Sequence, residues 1–347
     1  MEPLAEGPSA GRDLPHRAVR RARSRSGRLV VGAGSGLVGM ILALVAAWHV
    51  ARTPWPLSLG PLTLLVAAAL LSLLGYVLKA YGWRRLFATH ERPQALALAA
   101  ANGGASITAL ALPGRVDDVV RVAIVRNFRG CPASVRTICL SLFMLGLIDS
   151  VALAPFALAA AILPGQSLGV RLGLVFVALV GIAAAGLILA LPRLARSKRL
   201  RSFRISSWLR PRSVSLQDAT QAWALVSAAW VTRVLGLVLL LGAFGVGFSF
   251  TLALLFLCTS SAAAALPVGP GGAAMQAAAG AAVLIASGVG VSEAVGVAVA
   301  VQTMGMLVGG SIFLAATAWR TGVRLAARHR VIRAWALRVR VAGGVQA

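Results

Sequence analysis

Ionisable side chains are scarce in this chain, so the places where they gather are the places where chemistry can happen. A cluster of both signs is Arg115-Val-Asp-Asp-Val-Val-Arg121, directly after Pro113-Gly114, and it sets two of the nine acidic residues side by side. A helix that begins just after the Pro-Gly break would hold Asp117 and Asp118 in its first turn, where carboxylates favour the exposed N–H groups and the positive end of the dipole. Arg121 follows Asp117 by four residues and Asp118 by three, and both spacings bring side chains together on a helix. Arg115, Asp117, Asp118, Arg121, Arg126 and Arg129 fall on one side of the helical wheel, with Val116, Val119, Val120 and Ala123 opposite. The segment therefore reads as an amphipathic interfacial helix with a paired charge cluster. The plainer alternative is a cytoplasmic loop helix whose charges neutralise one another.

Two further charges stand inside apolar runs: Asp149 near the middle of 137–163 and Arg233 well inside 217–243. A charge at the centre of a bilayer costs about 2.5–3.5 kcal/mol on insertion scales, so each needs water or a partner and each is a candidate site residue. Mutual Asp149–Arg233 pairing is the economical expectation, either as a bridge that locks two helices or as part of a substrate path. Enzyme chemistry finds no footing. No Ser/His/Asp or Cys/His arrangement, phosphate-cradling loop or paired catalytic carboxylate with a companion base can be assembled from the sequence. Cys131, Cys139 and Cys258 lie in or beside apolar segments and the four histidines are scattered singly, so no metal-ligand spacing, disulfide framework or cofactor is expected.

The elements that position these residues follow from composition. The chain is 59% hydrophobic and only 12% charged, with a mean hydropathy of +0.85, which excludes soluble folds and indicates an all-α polytopic membrane protein. Its 34 Lys and Arg against 9 Asp and Glu give a net charge of +25. Nearly all of that charge lies between the apolar runs, where the positive-inside rule puts it, so nucleic acid is a poor partner for it. Runs long enough to cross a bilayer occur at 29–50, 61–82, 137–163, 168–191, 217–243 and 293–319. Placing the five basic blocks (the N-terminus, 79–92, 115–136, 193–212 and the residues after 320) in the cytoplasm gives six full spans with both termini inside. The first run is read as a retained signal anchor, being longer than a signal-peptide core. The chain thus divides into a basic, disordered cytoplasmic tail at 1–28, a membrane domain at 29–320 and a basic cytoplasmic tail at 321–347. The polybasic stretches should attract anionic membrane lipids at about 1 kcal/mol per charge near the surface.

Two apolar segments do not fit as single spans. The stretch 94–112 has basic flanks on both sides and is expected to enter from the cytoplasm and return, turning near Asn102-Gly103-Gly104. The stretch 250–287 is broken by Pro267, Pro270, Gly271 and Gly272 and has no basic residue, so it is expected to enter from outside and return. Two full spans there, giving eight crossings, fit the length as well. Opposed broken elements at matching places suggest an inverted repeat with a cavity at its interface, because irregular backbone at membrane depth is tolerated only where protein or water satisfies it. Gly-rich helix packing is the competing account.

Together "LPGRVDDVVR", the Asp of "LGLIDS" and the broken "LPVGPGG" resemble the lysylphosphatidylglycerol synthase transmembrane family, the flippase-like membrane region of bacterial aminoacyl-phospholipid proteins. The resemblance runs from about residue 30 to 320 and rests on motif order. The family's Pro-Gly-Arg-x-Gly-Glu-x-x-Arg pattern falls on Pro113, Gly114, Arg115, Asp117, Asp118 and Arg121, with Asp in place of its Gly and its Glu. Its Glu-Arg-x-x-Asp pattern keeps Asp149, with Leu145 and Gly146 at the other two positions, and its later Glu and Arg correspond to Ala277 and Gln302. The resemblance implies a multi-pass protein of the bacterial plasma membrane that binds phospholipid, or a related lipid-linked substrate, and moves it between leaflets. Arg115, Asp117, Asp118, Arg121, Asp149 and Arg233 would be its lipid-binding residues, and the Pro-Gly breaks would border its cavity. The family's soluble aminoacyl-transferring domain has no counterpart in 321–347, so lipid synthesis is not expected. A small-solute or ion transporter and a non-transporting scaffold are the alternatives.

Overall fold

The computed structural model describes residues 59–111, 116–128, 130–163, 166–196, 215–265 and 272–343, all of them helix or short connection. In chain order the helices are α1 (Leu59–Arg85), α2 (Ala95–Ala111), α3 (Val116–Asn127), α4 (Val135–Ile162), α5 (Leu168–Arg196), α6 (Leu216–Ala243), α7 (Phe250–Ala265), α8 (Gly272–Ala286) and α9 (Val291–Gly343). The chain is an all-α polytopic membrane protein. Five helices are long and apolar enough to cross a bilayer: α1, α4, α5, α6 and the first part of α9, Val291–Trp319. The expected first span at 29–50 and the tail at 1–28 lie outside the described residues. Helix α9 continues to Gly343, so the basic C-terminal stretch prolongs the last span as helix.

Local chemistry sets the helix ends. Ser134 caps α4 by accepting from Thr137 N at 3.2 Å, and Ser215 caps α6 by accepting from Asp218 N at 3.0 Å. Both satisfy N–H groups that a helix leaves without partners. Where α8 ends, Gly288 takes φ +87, a left-handed turn that side chains with a Cβ avoid. Helices α1 and α6 form the central antiparallel pair, and small residues let them approach. A Cβ on Gly75 would come within 2.9 Å of Thr232 Oγ1, and one on Gly82 within 3.0 Å of Val226 Cγ2. Trp83, fully buried, donates to Ser141 Oγ at 2.9 Å and ties α1 to α4. Helix α5 packs mainly on α4 and presents Leu172, Phe176, Leu179 and Ile182 outward, as a lipid-facing helix should.

Between the spans sit two helical hairpins. Helices α2 and α3 pack against each other, with Gly104 beside Ile124 and Ala97 and Ala100 sharing a cluster with Phe128. Helices α7 and α8 do the same, with Phe256 against Gly280 and Ser260 Oγ donating to the Gln276 carbonyl at 2.9 Å. Helices of 17, 12, 16 and 15 residues reach no more than about 25 Å, short of the ~30 Å hydrocarbon core, so these are dipping hairpins in place of full spans. The first begins beside the α1 C-terminus, where Arg92 meets Asp218 of α6 at 2.8 Å. The second begins beside the α6 C-terminus, where Phe248 packs on Gly242, the opposite end of the α1–α6 pair. Span, hairpin and span thus occur twice in order, with antiparallel leading helices, which is the arrangement of an inverted repeat.

The first hairpin corrects one expectation. Asn102-Gly103-Gly104 is not its turn but lies in the middle of the continuous helix α2. The glycines serve close packing: a Cβ on Gly103 would sit 3.0 Å from the Gly309 carbonyl carbon, in direct conflict with the α9 backbone. The two helices of the hairpin instead flank residues 112–115, and those of the second flank 266–271. Pro113, Gly114, Arg115, Pro267, Pro270 and Gly271 lie outside the described residues, and Gly272 opens α8.

Candidate functional site

Polar residues on α1 recur at Ser72, Tyr76 and Lys79, spaced by four and three, so all three face the same side of a helix that is otherwise apolar. At the end of that stripe Lys79 Nζ lies 2.5 Å from Asp149 Oδ2 of α4, with only 14% and 23% of the two side chains exposed. The other carboxylate oxygen, Asp149 Oδ1, accepts from the Trp230 indole N–H at 3.2 Å. One turn along α6, the Arg233 guanidinium lies over the Trp230 ring, 4.9 Å from its centroid. The expected Asp149–Arg233 bridge is therefore replaced by a Lys79–Asp149 bridge. Trp230 stands between the two residues, giving its N–H to the carboxylate and its ring face to the guanidinium, a favourable place for a cation.

The acidic pair of α3 faces Arg121 at the predicted helical spacings. Arg121 Nη1 donates to Asp118 Oδ1 at 2.5 Å, and Nη2 lies 3.2 Å from Asp117 Oδ2. Both carboxylates fall in the first turn of α3, where the dipole favours them.

These two ion-pair groups border two cavities. A central cavity of about 350 Å3 lies among α1, α2, α3, α6, α7, α8 and α9, and Lys79, Asp117, Arg121 and Arg233 line it. A lateral groove of about 690 Å3 runs between α3 and α4 and is lined by Lys79, Asp118, Arg121 and Asp149. Lys79 and Arg121 belong to both, so they form the wall between them. Val119 and Phe143 on the groove are 66% and 54% exposed, which gives it an apolar, outward-facing rim. Ends of both hairpins reach the central cavity, through Ala109 and Asp117 from the first and through Ser260, Ser261, Ala273 and Gln276 from the second. Asn102 also lines it, 5% exposed, and its Nδ2 is buried without a hydrogen-bond partner.

Of the expected site residues, the structure gathers Asp117, Asp118, Arg121, Asp149 and Arg233 around this double cavity. Lys79, Trp230, Asn102 and Gln276 were not foreseen there. Lys79 was read as the start of a topological block, although the Ser72–Tyr76–Lys79 stripe was a usable signal. The Trp230 contact with Asp149 joins segments 81 positions apart in sequence. Among the described residues no group of three or more His, Cys, Asp or Glu could hold a metal ion.

Compared with protein families, residues 37–309 match the lysylphosphatidylglycerol synthase TM region. The chain belongs to that family. No curated protein and no solved structure matches it. Seen beside the family's pattern, the substituted positions separate by environment. Leu145 joins the apolar core and Gly146 borders the lateral groove. Gln302 lines the central cavity. Ala277 packs in an apolar cluster, while its neighbour Gln276 lines the cavity and supplies the polar group on that helix.

Proposed function

We propose that the chain binds a phospholipid, or a related lipid-linked substrate, by its headgroup and moves it between leaflets of the bacterial plasma membrane, as a carrier and not as an enzyme. The observation that carries this reading is the wall shared by the two cavities. Lys79 and Arg121, each held by carboxylates, stand between a groove with an apolar rim and a polar chamber at the centre of the helix bundle. A headgroup needs a charged path through the bilayer, whereas acyl chains are best left in hydrocarbon, and a lateral groove beside a charged chamber meets both needs. The carboxylates hold the two cations in place in the absence of substrate, and an anionic headgroup can take over those hydrogen bonds as it passes. Arginine suits this exchange because its planar fork holds carboxylate and phosphate alike through paired bonds, whereas lysine acts as a point charge.

The test is leaflet exchange of fluorescent phosphatidylglycerol in proteoliposomes, with variants reconstituted to equal density. Exchange should exceed that of empty liposomes, and Asp118→Asn should slow it more than Asp117→Asn, because Asp118 borders the groove and Asp117 the chamber. Arg121→Lys should slow it although the charge is kept. Wild-type exchange at the empty-liposome rate removes the reading for that lipid. In this reading both termini are cytoplasmic. In a cysteine-free background, a cysteine at Gln166 should then react with an impermeant thiol reagent outside intact cells, whereas one at Ser197 should not; the reverse pattern inverts the topology.

A further inference from the structure

The cations around the central cavity are not equivalent. Lys79 is held by Asp149, and Arg121 by Asp117 and Asp118. Arg233 has no carboxylate partner among the described residues; its contact is the face of Trp230. Three hydroxyls of the chamber are also committed. Tyr76 donates to the Gly305 carbonyl at 3.1 Å, Ser106 to the Gly103 carbonyl at 2.7 Å and Ser260 to the Gln276 carbonyl at 2.9 Å. Among the charged and fully buried groups lining the chamber, those left unanswered are donors: Arg233, Asn102 Nδ2 and Arg121 Nε. An orphaned buried donor is uncommon in a folded protein and asks for an explanation. Here all the donor-bearing residues line one cavity.

Donors without acceptors, around a cation without a counter-ion, are complementary to an anion that carries several acceptor oxygens. A neutral carbonyl or hydroxyl would answer Asn102 but leave the Arg233 charge uncompensated. A guanidinium held over an indole face spends none of its N–H groups on that contact, and two of them can match two oxygens of one phosphate. We infer that the central cavity is a phosphate site in which Arg233, steadied by Trp230, and Asn102 hold the phosphate of the passing headgroup. These two residues then set the preference for phosphate-bearing over neutral lipid. The inference rests on the lipid reading above and names the part of the lipid that this chamber recognises. Arg121 and Lys79 admit the headgroup, and Arg233 and Asn102 select it.

Asn102 provides a readout that a purely structural residue would not give. Removing an unsatisfied buried amide should leave the empty protein as stable as before or more so, while weakening the anion. The experiment uses the full chain in detergent with four probes: inorganic phosphate, glycerol phosphate, dioleoyl phosphatidylglycerol and dioleoylglycerol. Ligand-dependent rise in the thermal midpoint and lipid retention in native mass spectrometry are read for wild type, Arg233→Gln, Arg233→Lys and Asn102→Ala. The expected result is stabilisation by phosphatidylglycerol but not dioleoylglycerol, weakened about tenfold in Arg233→Gln and less in Arg233→Lys, as the loss of a paired charge-assisted contact predicts. Asn102→Ala should bind more weakly with an undiminished midpoint in the absence of ligand. Stabilisation by the two soluble phosphates alone, lost in Arg233→Gln, would keep the phosphate site and remove the lipid reading. Equal retention of phosphatidylglycerol and dioleoylglycerol, or phosphatidylglycerol retention unchanged in both Arg233→Gln and Asn102→Ala, overturns the phosphate site even if leaflet exchange proceeds.

Discussion

The two hairpins share an architecture and differ in chemistry. Each is a pair of short antiparallel helices that flanks a Pro-Gly break and reaches the same chamber from opposite ends of the α1–α6 pair. The first carries Asp117, Asp118 and Arg121 in α3. The second has no charged residue in either helix and offers Ser260, Ser261 and Gln276. Repetition of the backbone plan has therefore not repeated the charge. The ionic path is built on the side of α1, α3 and α4, and the opposite wall is polar but neutral. A chamber made in this way favours an asymmetric route, with charge-assisted contacts at the groove and at Arg233 and weaker hydrogen bonds on the side of the second hairpin.

The largest effect should come from the charged side. Asp149→Asn leaves Lys79 without its carboxylate in a mostly buried position, and breaking such a pair costs about 3 kcal/mol or more. The variant should lose monodisperse protein on mild heating, and the double variant Lys79→Met/Asp149→Leu should recover most of the loss. A single variant as stable as wild type would show that the bridge is dispensable to the fold and leave its role to substrate alone. Next come the packing glycines, one in each hairpin. Gly103→Ala drives a methyl into the Gly309 backbone, which has no side-chain freedom to yield, and should cost about 2–3 kcal/mol. Gly280→Ala meets first the Phe256 ring, a side chain and not a backbone, and should cost about 1 kcal/mol. Thermal midpoints in that order support a first hairpin clamped to α9 and a second that is more compliant; the reverse order breaks the comparison. The smallest effect belongs to Ser260→Ala, which removes one hydrogen bond across the second hairpin. It should cost about 0.5 kcal/mol and leave phosphatidylglycerol exchange close to wild type.

Sequence alone determined the class of this protein and its element order. Apolar runs of bilayer length, separated by basic blocks, leave no other way to satisfy the backbone than a helical bundle. The Pro-Gly break at 267–272 located the second hairpin, since proline and glycine are the residues a helix least tolerates in its interior. The Arg121–Asp117–Asp118 cluster was legible because its three members lie within one turn and a half of a helix, where spacing fixes proximity. Asn102-Gly103-Gly104 was misread as a turn, because sequence shows that glycine weakens a helix but not that a neighbouring backbone requires it. That neighbour is Gly309, more than two hundred positions away. Lys79 meets Asp149 across 70 positions and Trp230 meets Asp149 across 81. Which intramembrane charge finds which partner depends on how the spans rotate and cross, a matter settled by the packing of small residues along α1 and α6. Periodicity tells which face of a helix is polar. Only the tertiary structure decided that the polar faces of seven helices line one chamber and that Arg233 stands within it with no carboxylate partner among the described residues.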